Sequence, residues 1–426
     1  MSVNVSDTRI TKPKDYRLKS LDLILDSGDT VSLLDMFVNI NIYQDLFGSP
    51  MTCNVLVSDG FDLYSKLPIK NSETLRLIFL SPGDSEVSLD MMLYSREEVL
   101  ISDGNSSQYL LKFISPEVIF NGTTKFSKAY TGKISDIVGA IWSEIFTNSK
   151  PMSVEATDGE TTIVLPINTP MTHIGDLSKK AKRESNPDEV NYFFFQDFNN
   201  YNFASLGAMY EIPVKASFFY GPADLLDTRS LSSMKSLIED VSIVGNENLL
   251  DEITKGTYGG FISAHDVKNK TFGGLRYDYA EAFDKIHHCN THPISTNKLL
   301  KNMGKLSTFG TGFVGGPFSP DLTMKRISQI GSFLNKRLKF KVAGNSSINV
   351  GDKIHLSFTY QTNTNSDDDG MDKYRSMNYI VSSVKHTINK ADGYTMTIEA
   401  CSDSYAEPLP ESSRFEAEAQ PGRTTR

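Results

Sequence analysis

The same strand-and-turn pattern occurs near both ends of this chain, and it limits the fold more than any single motif. Near the start, VNINIYQDLFGSPMTCNVLVSDG reads as strand, turn, strand, turn, with further strands at ETLRLIFL and MMLYSREEVL. Near the end, RLKFKVAGN, VGDKIHLSF, MNYIVSSVKHTI and GYTMTIEA repeat the pattern. Val38, Ile40 and Ile42 alternate with Asn39 and Asn41, as Leu338, Phe340 and Val342 alternate with Lys339 and Lys341. That period of two marks half-buried strands. Cys53, Val55 and Val57, then Leu75, Leu77 and Phe79, then Ile354, Leu356 and Phe358 continue the two series. Ser102-Asp103-Gly104-Asn105 signals a hairpin into YLLKFISPEVIF, and Asn389–Gly393 signals another near the C-terminus. Two separated β-units of similar size imply a body made by duplicating a barrel.

The material between them is different. Past Asn121-Gly122, residues Ile134, Ile137, Val138, Ile141 and Ile145 recur three or four apart, which predicts a helix with one apolar face, adjoined by Trp142. Thr169-Pro170 predicts a second helix through Ile174, Leu177 and Ala181, with Lys179, Lys180, Lys182 and Arg183 complementing its C-terminal dipole. VNYFFFQDF reads as a buried strand that returns as YNFASL after Asn199-Asn200. Residues 208–245 return to β alternation; 246–320, rich in glycine and aromatics, read as an excursion with little regular structure. Met324, Ile327, Ile330 and Leu334 predict one more amphipathic helix. Residues 1–16 read as a flexible arm and 406–426 as a disordered tail.

Length, 426 residues, fits two to four domains, and 39% hydrophobic content suffices for real cores. A net charge of −9 and a pI near 5.4 argue against a nucleic-acid binder, which needs lysines and arginines against phosphates. They are compatible with a passage that DNA slides through without sticking. Three dispersed cysteines, Cys53, Cys289 and Cys401, form no disulfide framework, which suits folding in a reducing cytosol. The N-terminus has no signal-peptide pattern, and no window approaches the ~18 apolar residues that a membrane span needs.

Gly310, Gly312 and Gly315 match the dinucleotide glycine pattern, but Gly316-Pro317 and Ser319-Pro320 follow where its helix should open. Thr131-Gly132-Lys133 lacks the flanking residues of a phosphate loop. Asn365, Asp367, Asp369 and Gly370 resemble the start of a calcium loop, but its twelfth position is Ser376 rather than a glutamate. His287, His288, Cys289 and His292 are the tightest group of metal-capable side chains, without a second ligand pair at a distance; His173, His265, His355 and His386 are scattered. Lys179–Arg183 could touch phosphates but reads as a solvated helix end. Glu97-Glu98 and Asp188-Glu189 are sequence neighbours; on a strand such neighbours point to opposite faces, so they make poor catalytic pairs. No catalytic, cofactor-binding or metal residue is therefore assigned, and no cofactor.

Four segments carry a resemblance: FVNINIYQDLFGSPMTCNVLVSDG with LP and ETLRLIF; TPMTHIGDLSKKA leading to NYFFFQDFNNYNFASL; KGTYGG with HDVKNKTF and YDYAEAF; and RLKFKVAGNSSINVGDKIHLSF with MNYIVSSVKHTINKADGYTMTIEACSDSY. In this order they resemble the baseplate central hub proteins of contractile-tailed bacteriophages and the hub part of type VI secretion spike proteins. The resemblance implies a mainly β fold with α+β inserts. Two tail-tube-like barrels or sandwiches and a smaller α/β domain would form a pseudo-hexameric ring as a trimer. It implies a first barrel at 17–120, a second at 208–245 plus 325–405, and an α/β insert at 121–207 and 246–324 facing the spike. The chain end soon after the second barrel implies a spike on a separate polypeptide.

The function implied is structural rather than enzymatic: a homotrimer adapting the six-fold tail tube to a three-fold spike, part of a channel through which DNA passes without specific binding. Tail-tube proteins, the spike and other baseplate proteins would be its partners, and the virion tail, assembled in the host cytoplasm, its location. The alternatives are a tail-tube-like component, which would polymerise helically, or an injection-apparatus component with cell-wall-degrading activity.

Overall fold

The computed structural model describes residues 12–409 except 49, 61–69, 71, 82, 84, 103–105, 148, 223–230, 245–247, 267–269, 296–308, 314–319 and 360–370. The chain is mainly β, with short helices between its strands. The first unit contains β1 (Arg17–Ile24), β2 (Thr30–Ser32), β3 (Phe37–Asp45), β4 (Thr52–Asp59), β5 (Thr74–Leu80), β6 (Val87–Ser102) and β7 (Ser106–Ile114). They pair antiparallel in the order β3-β4-β7-β6-β5-β1-β2. Ile40, Ile42, Cys53, Val55, Leu75, Leu77, Phe79 and Leu111 are buried on one face. A bulge at Phe37/Asn39 puts Phe37 in the buried row and leaves Val38 out of it, against the alternation expected from sequence. The strand expected to run through SPEVIF stops at Ile114. Pro116–Thr123 is helical, with Ser115 at the N-cap and Pro116 at a first-turn position where its missing N–H costs nothing.

The insert holds β8 (Phe126–Lys133), the helix Ile134–Ile145, β9 (Met152–Val154), β10 (Glu160–Asn168), the helix Pro170–Ser178, β11 (Tyr192–Gln196), β12 (Tyr201–Ser205) and the helix Leu206–Glu211. Every residue of β11 is buried, because its two faces serve two cores. Tyr192 and Phe194 pack with Trp142, Ile141 and Tyr201, whereas Phe193 and Phe195 belong to the core of the large sheet. The helix after Thr169 ends at Ser178, so Lys179–Arg183 lie beyond its last turn rather than in it.

The second unit draws on β13 (Ala216–Tyr220) and β14 (Asp240–Ile243); YEIP, which reads as part of a strand, lies at the end of a helix and in the segment after it. A further excursion follows. It is more regular than its glycines suggest: β15 (Gly259–Asp266) and β16 (Thr271–Asp278) form a hairpin, β17 (His292–Pro293) is a short strand, and β18 (Phe309–Phe313) lies parallel to β15. The helix Pro320–Phe333 begins on a proline, against the expectation that Ser319-Pro320 bars a helix start; at the first position a proline is tolerated. Then come β19 (Lys336–Ala343), β20 (Lys353–Phe358), β21 (Met377–Asn389), β22 (Gly393–Ser402) and β23 (Ser404–Tyr405).

The two units are joined edge to edge. Residues Ser383–Asn389 of β21 pair antiparallel with Asp45–Asn39 of β3, so one sheet runs through both. Across the join, Phe79 packs edge-on against Tyr394 with centroids 5.7 Å apart.

The units also repeat each other in register. Ile380↔Cys401 and Val381↔Ala400 are followed by a bulge and Ser383↔Glu399; Met92↔Ile114 and Leu93↔Phe113 are followed by a bulge and Ser95↔Lys112. β22 pairs next with β19 as β7 pairs with β4, and β14 lies on β19 as β3 lies on β4.

Both chain ends were expected to be loose; the described parts are bonded. Lys14 O accepts from Tyr394 N–H at 2.8 Å, and Lys14 Nζ pairs with Glu239 at 2.6 Å. Gly393 meets this arm at φ +79°, where a Cβ would sit 2.4 Å from Lys14 O. Ala406 O accepts from Thr291 Oγ1 at 3.2 Å. Residues 1–11 and 410–426 lie outside the described residues.

Candidate functional site: a polar wall and a buried charge cluster

The alternation that buries Ile40 and Ile42 turns Asn39, Asn41 and Tyr43 to the opposite face. Cross-strand register extends that face over the join: Tyr43, Lys385, Thr397, Lys341 and Asp240 form one row, each opposite the next. A parallel row contains Lys112, Asn54, Asn41 and Thr387. Thr387 Oγ1 donates to Asn41 Oδ1 at 3.0 Å, and Lys385 Nζ lies 5.7 Å from the Tyr43 ring centroid. Lys112 is paired with Glu97, and Lys341 lies 4.0 Å from Glu239. The wall is thus rich in amides and hydroxyls, and these two lysines face carboxylates. Lys385, the third lysine of these rows, is set against the Tyr43 ring.

A buried polar cluster ties separate segments of the insert together. Arg183, expected at a solvated helix end, is 7% exposed. Its guanidinium donates to Glu155 and Glu189 at 2.8 Å each and to Glu211. Burial alone would lower the Arg183 pKa, but the three carboxylates outweigh it and raise it; Arg183 in turn holds Glu211 below the usual carboxylate range. Asp188 and Glu189 lie in a turn rather than a strand, and Glu189 is 3% exposed. Glu155 also accepts from Ser205 N–H at 2.5 Å. These glutamates come from distant segments, and no spacing in the sequence marks them as one group.

The histidine group flagged in the sequence is divided among carboxylates. His287 contacts Glu189 through Nδ1 at 2.6 Å and Glu211 through Nε2 at 2.9 Å. His288 places Nδ1 2.6 Å from Asp403 and Nε2 2.9 Å from Phe283 O, and stacks on the Phe283 ring at 3.7 Å. Burial works to lower the His288 pKa, but the hydrogen bond and charge of Asp403 raise it overall. Cys289 N–H donates to the other Asp403 oxygen at 3.0 Å, and burial pushes its thiol pKa up. His292 lies on β17 against β23. Among the described residues no three His, Cys, Asp or Glu side chains are grouped to hold a metal.

The other flagged residues have structural settings. Gly310 and Gly312 lie in β18; Gly315 and the acidic stretch at Asn365–Gly370 fall outside the described residues. Lys133 ends β8, N-caps the next helix and pairs with Glu184. Glu97 lies on β6 and pairs with Lys112. His173 is buried with Nε2 3.4 Å from Phe126 O, and His355 Nδ1 is 3.0 Å from Asn378 Oδ1. His265 lies on β15. His386 is buried 2.9 Å from the Tyr394 hydroxyl, and burial lowers its pKa to about 3. No described helix is long and apolar enough to cross a membrane.

No protein-family model matches the sequence, and no curated protein matches it. The fold does match solved structures. A tail protein from Neisseria meningitidis MC58 superimposes with a TM-score of 0.56 at 11% identity, over 93% of this chain and 100% of that one. The 43 kDa tail protein of prophage MuSo2 from Shewanella oneidensis superimposes with a TM-score of 0.52 at 10% identity, over 90% of this chain and 97% of that one. The chain therefore has the fold of phage tail proteins, as the resemblance in its sequence implies.

Proposed function

We propose that this chain is the structural hub of a phage tail baseplate: a homotrimer that adapts the six-fold tail tube to a three-fold central spike and lines part of the DNA channel. One observation carries the reading. A single chain holds two β-units in which the run β21-β22-β19-β14 repeats β6-β7-β4-β3 in order and orientation, already fused side by side. Three such chains present six like units on one face and three insert domains on the other, which is what a six-to-three adaptor requires.

In this reading the first barrel occupies 17–120, the second 208–245 and 325–405, and the α/β insert 121–207 and 246–324 faces the spike. The polar face of the fused sheet is the channel wall, with DNA passing without specific contacts. Tube, spike and other baseplate proteins are the partners, in a virion tail assembled in the host cytoplasm, and no catalytic role is assigned. Likeness to chains described as tail proteins supports the setting.

The test is light scattering with negative-stain microscopy of the purified protein. A mass of three chains and a ring with a central hole is expected. A strict monomer at high concentration, or helical polymerisation, would overturn the hub.

A further inference from the structure

The helix Leu249–Lys255 and the helix Pro320–Phe333 flank a cavity of about 540 Å³. Ile327, Ile330 and Leu334, spaced along one face of the longer helix and only part-buried, give it an apolar side. Arg326, Arg337 and Lys255 give it a cationic side. Arg326 is part-buried, and burial lowers its pKa with no carboxylate to offset it. Among the described residues its guanidinium donates to Ser178 O at 3.2 Å and meets no carboxylate, whereas Arg183 meets three. Arg337 reaches Glu399 only at 3.9 Å, and its Nε is buried without a hydrogen bond. Thr257, wholly buried against the same cavity, leaves its hydroxyl unbonded. Two carboxylates also line the cavity, and neither neutralises these cations. Glu252 accepts from Tyr258 O–H at 2.6 Å and from Asn335 Nδ2. Asp251 is exposed and pairs with none of the three among the described residues. Burying a cation without a counter-charge is costly, and an arriving anion relieves that cost.

We propose that this cavity docks an acidic peptide segment of a partner protein. A carboxylate of the segment sits on Arg326 and Arg337, and a neighbouring apolar side chain sits on Ile327, Ile330 and Leu334. Charge selects the carboxylate: three cations line the cavity, and its own carboxylates are exposed or already bonded. Arginine suits that anion because its planar fork offers two parallel N–H bonds to one carboxylate. The extent of the apolar surface selects a polypeptide over a small molecule. Leu249 and Leu250, beside Asn248 and Asp251 of the lining, stand 47% and 75% exposed. They carry the apolar strip past the cavity, so a single small ligand filling it leaves them uncovered, and a chain segment covers both. This docking is independent of the hub reading and requires only that the chain works in an assembly.

An array of heptapeptides, probed with the full chain, tests this. One set combines leucine or phenylalanine with aspartate or glutamate. A second set replaces the acids by lysine, and a third replaces the apolar residues by serine. The parent is expected to bind the best members of the first set about tenfold more tightly than either other set, and less tightly as salt is raised. R326Q is expected to lose about tenfold or more in affinity for the best member, through the loss of hydrogen bonds to a charged group. Circular dichroism checks that R326Q is folded. Leu250 is 75% exposed, so L250S keeps the test decisive should R326Q fail to fold. L250S is expected to lose about threefold, for a leucine covered in part by the peptide. Equal binding of the three sets, or full binding by R326Q, overturns the site. Hexanoate that competes as tightly as the best peptide, with L250S unchanged, makes the cavity a small-carboxylate site and overturns the peptide. None of these outcomes alters the number of chains in the particle, so the hub reading stands or falls separately.

Discussion

Arg183 donates from Nη1 to Glu189 at 2.8 Å, and both side chains are almost wholly buried. The pair ties the loop after the helix Pro170–Ser178 to the segment that opens β11, and through His287 to the segment between β16 and β17. Its position gives it more structural weight than a surface ion pair.

Replacing that cation leaves Glu155 and Glu189 buried or part-buried without a counter-charge, with Glu211 beside them half-exposed. Breaking a buried pair from one side costs about 3–5 kcal/mol. R183M is expected to lower stability by about that much in urea denaturation, with the denaturant slope unchanged. A loss below about 1 kcal/mol would mean that the cluster is solvated.

Gly207 has no room for a side chain. A Cβ there would lie 1.8 Å from Oε2 of Glu189, the oxygen that receives Arg183. G207A is expected to destabilise by about 1–3 kcal/mol through overpacking. Combining G207A with R183M should cost less than the sum of the two, since both displace the same carboxylate. Calorimetry of the single and double variants measures that coupling.

The buried His386 imidazole, with its pKa lowered to about 3, is neutral in the folded chain at ordinary pH. A folded pKa below the unfolded value of about 6.5 contributes stability that is complete above about pH 6.5 and is lost as pH falls toward 3. H386L removes that titration. The difference in unfolding free energy between parent and variant should therefore move in favour of the variant between pH 6.5 and pH 4. A gap independent of pH over this range would contradict the assignment.

His288 has the opposite sign. Its pKa is raised, so its pairing with Asp403 stabilises fully below the unfolded histidine value and fades as pH rises through the folded one. D403N removes the charge that raises it and should shift the His288 ring titration to lower pH in NMR. The variant's stability deficit should be largest in mild acid and shrink above neutrality.

The duplicated β-units were legible because Ile40, Ile42, Val55, Leu77, Phe340 and Ile398 each sit one position from a polar neighbour, and burial on one face enforces that period. The β15–β16 hairpin was not legible, since Gly259, Gly260, Gly273 and Gly274 dilute the signal that strands carry. SPEVIF looked like a strand because Val118, Ile119 and Phe120 are consecutive; Ser115-Pro116 was the overlooked helix start. The charge cluster gave no sequence signal at all. Glu155, Arg183, Glu189, Glu211 and His287 meet only after four segments have folded together. The join between the two units was equally hidden, because Tyr43 and Lys385 are neighbours by register alone.

Strand β11 gives its rings alternately to two cores, Tyr192 and Phe194 to one and Phe193 and Phe195 to the other. No slack segment separates the insert from the body at that point. A displacement of the insert at β11 therefore disturbs the aromatic packing of both cores at once.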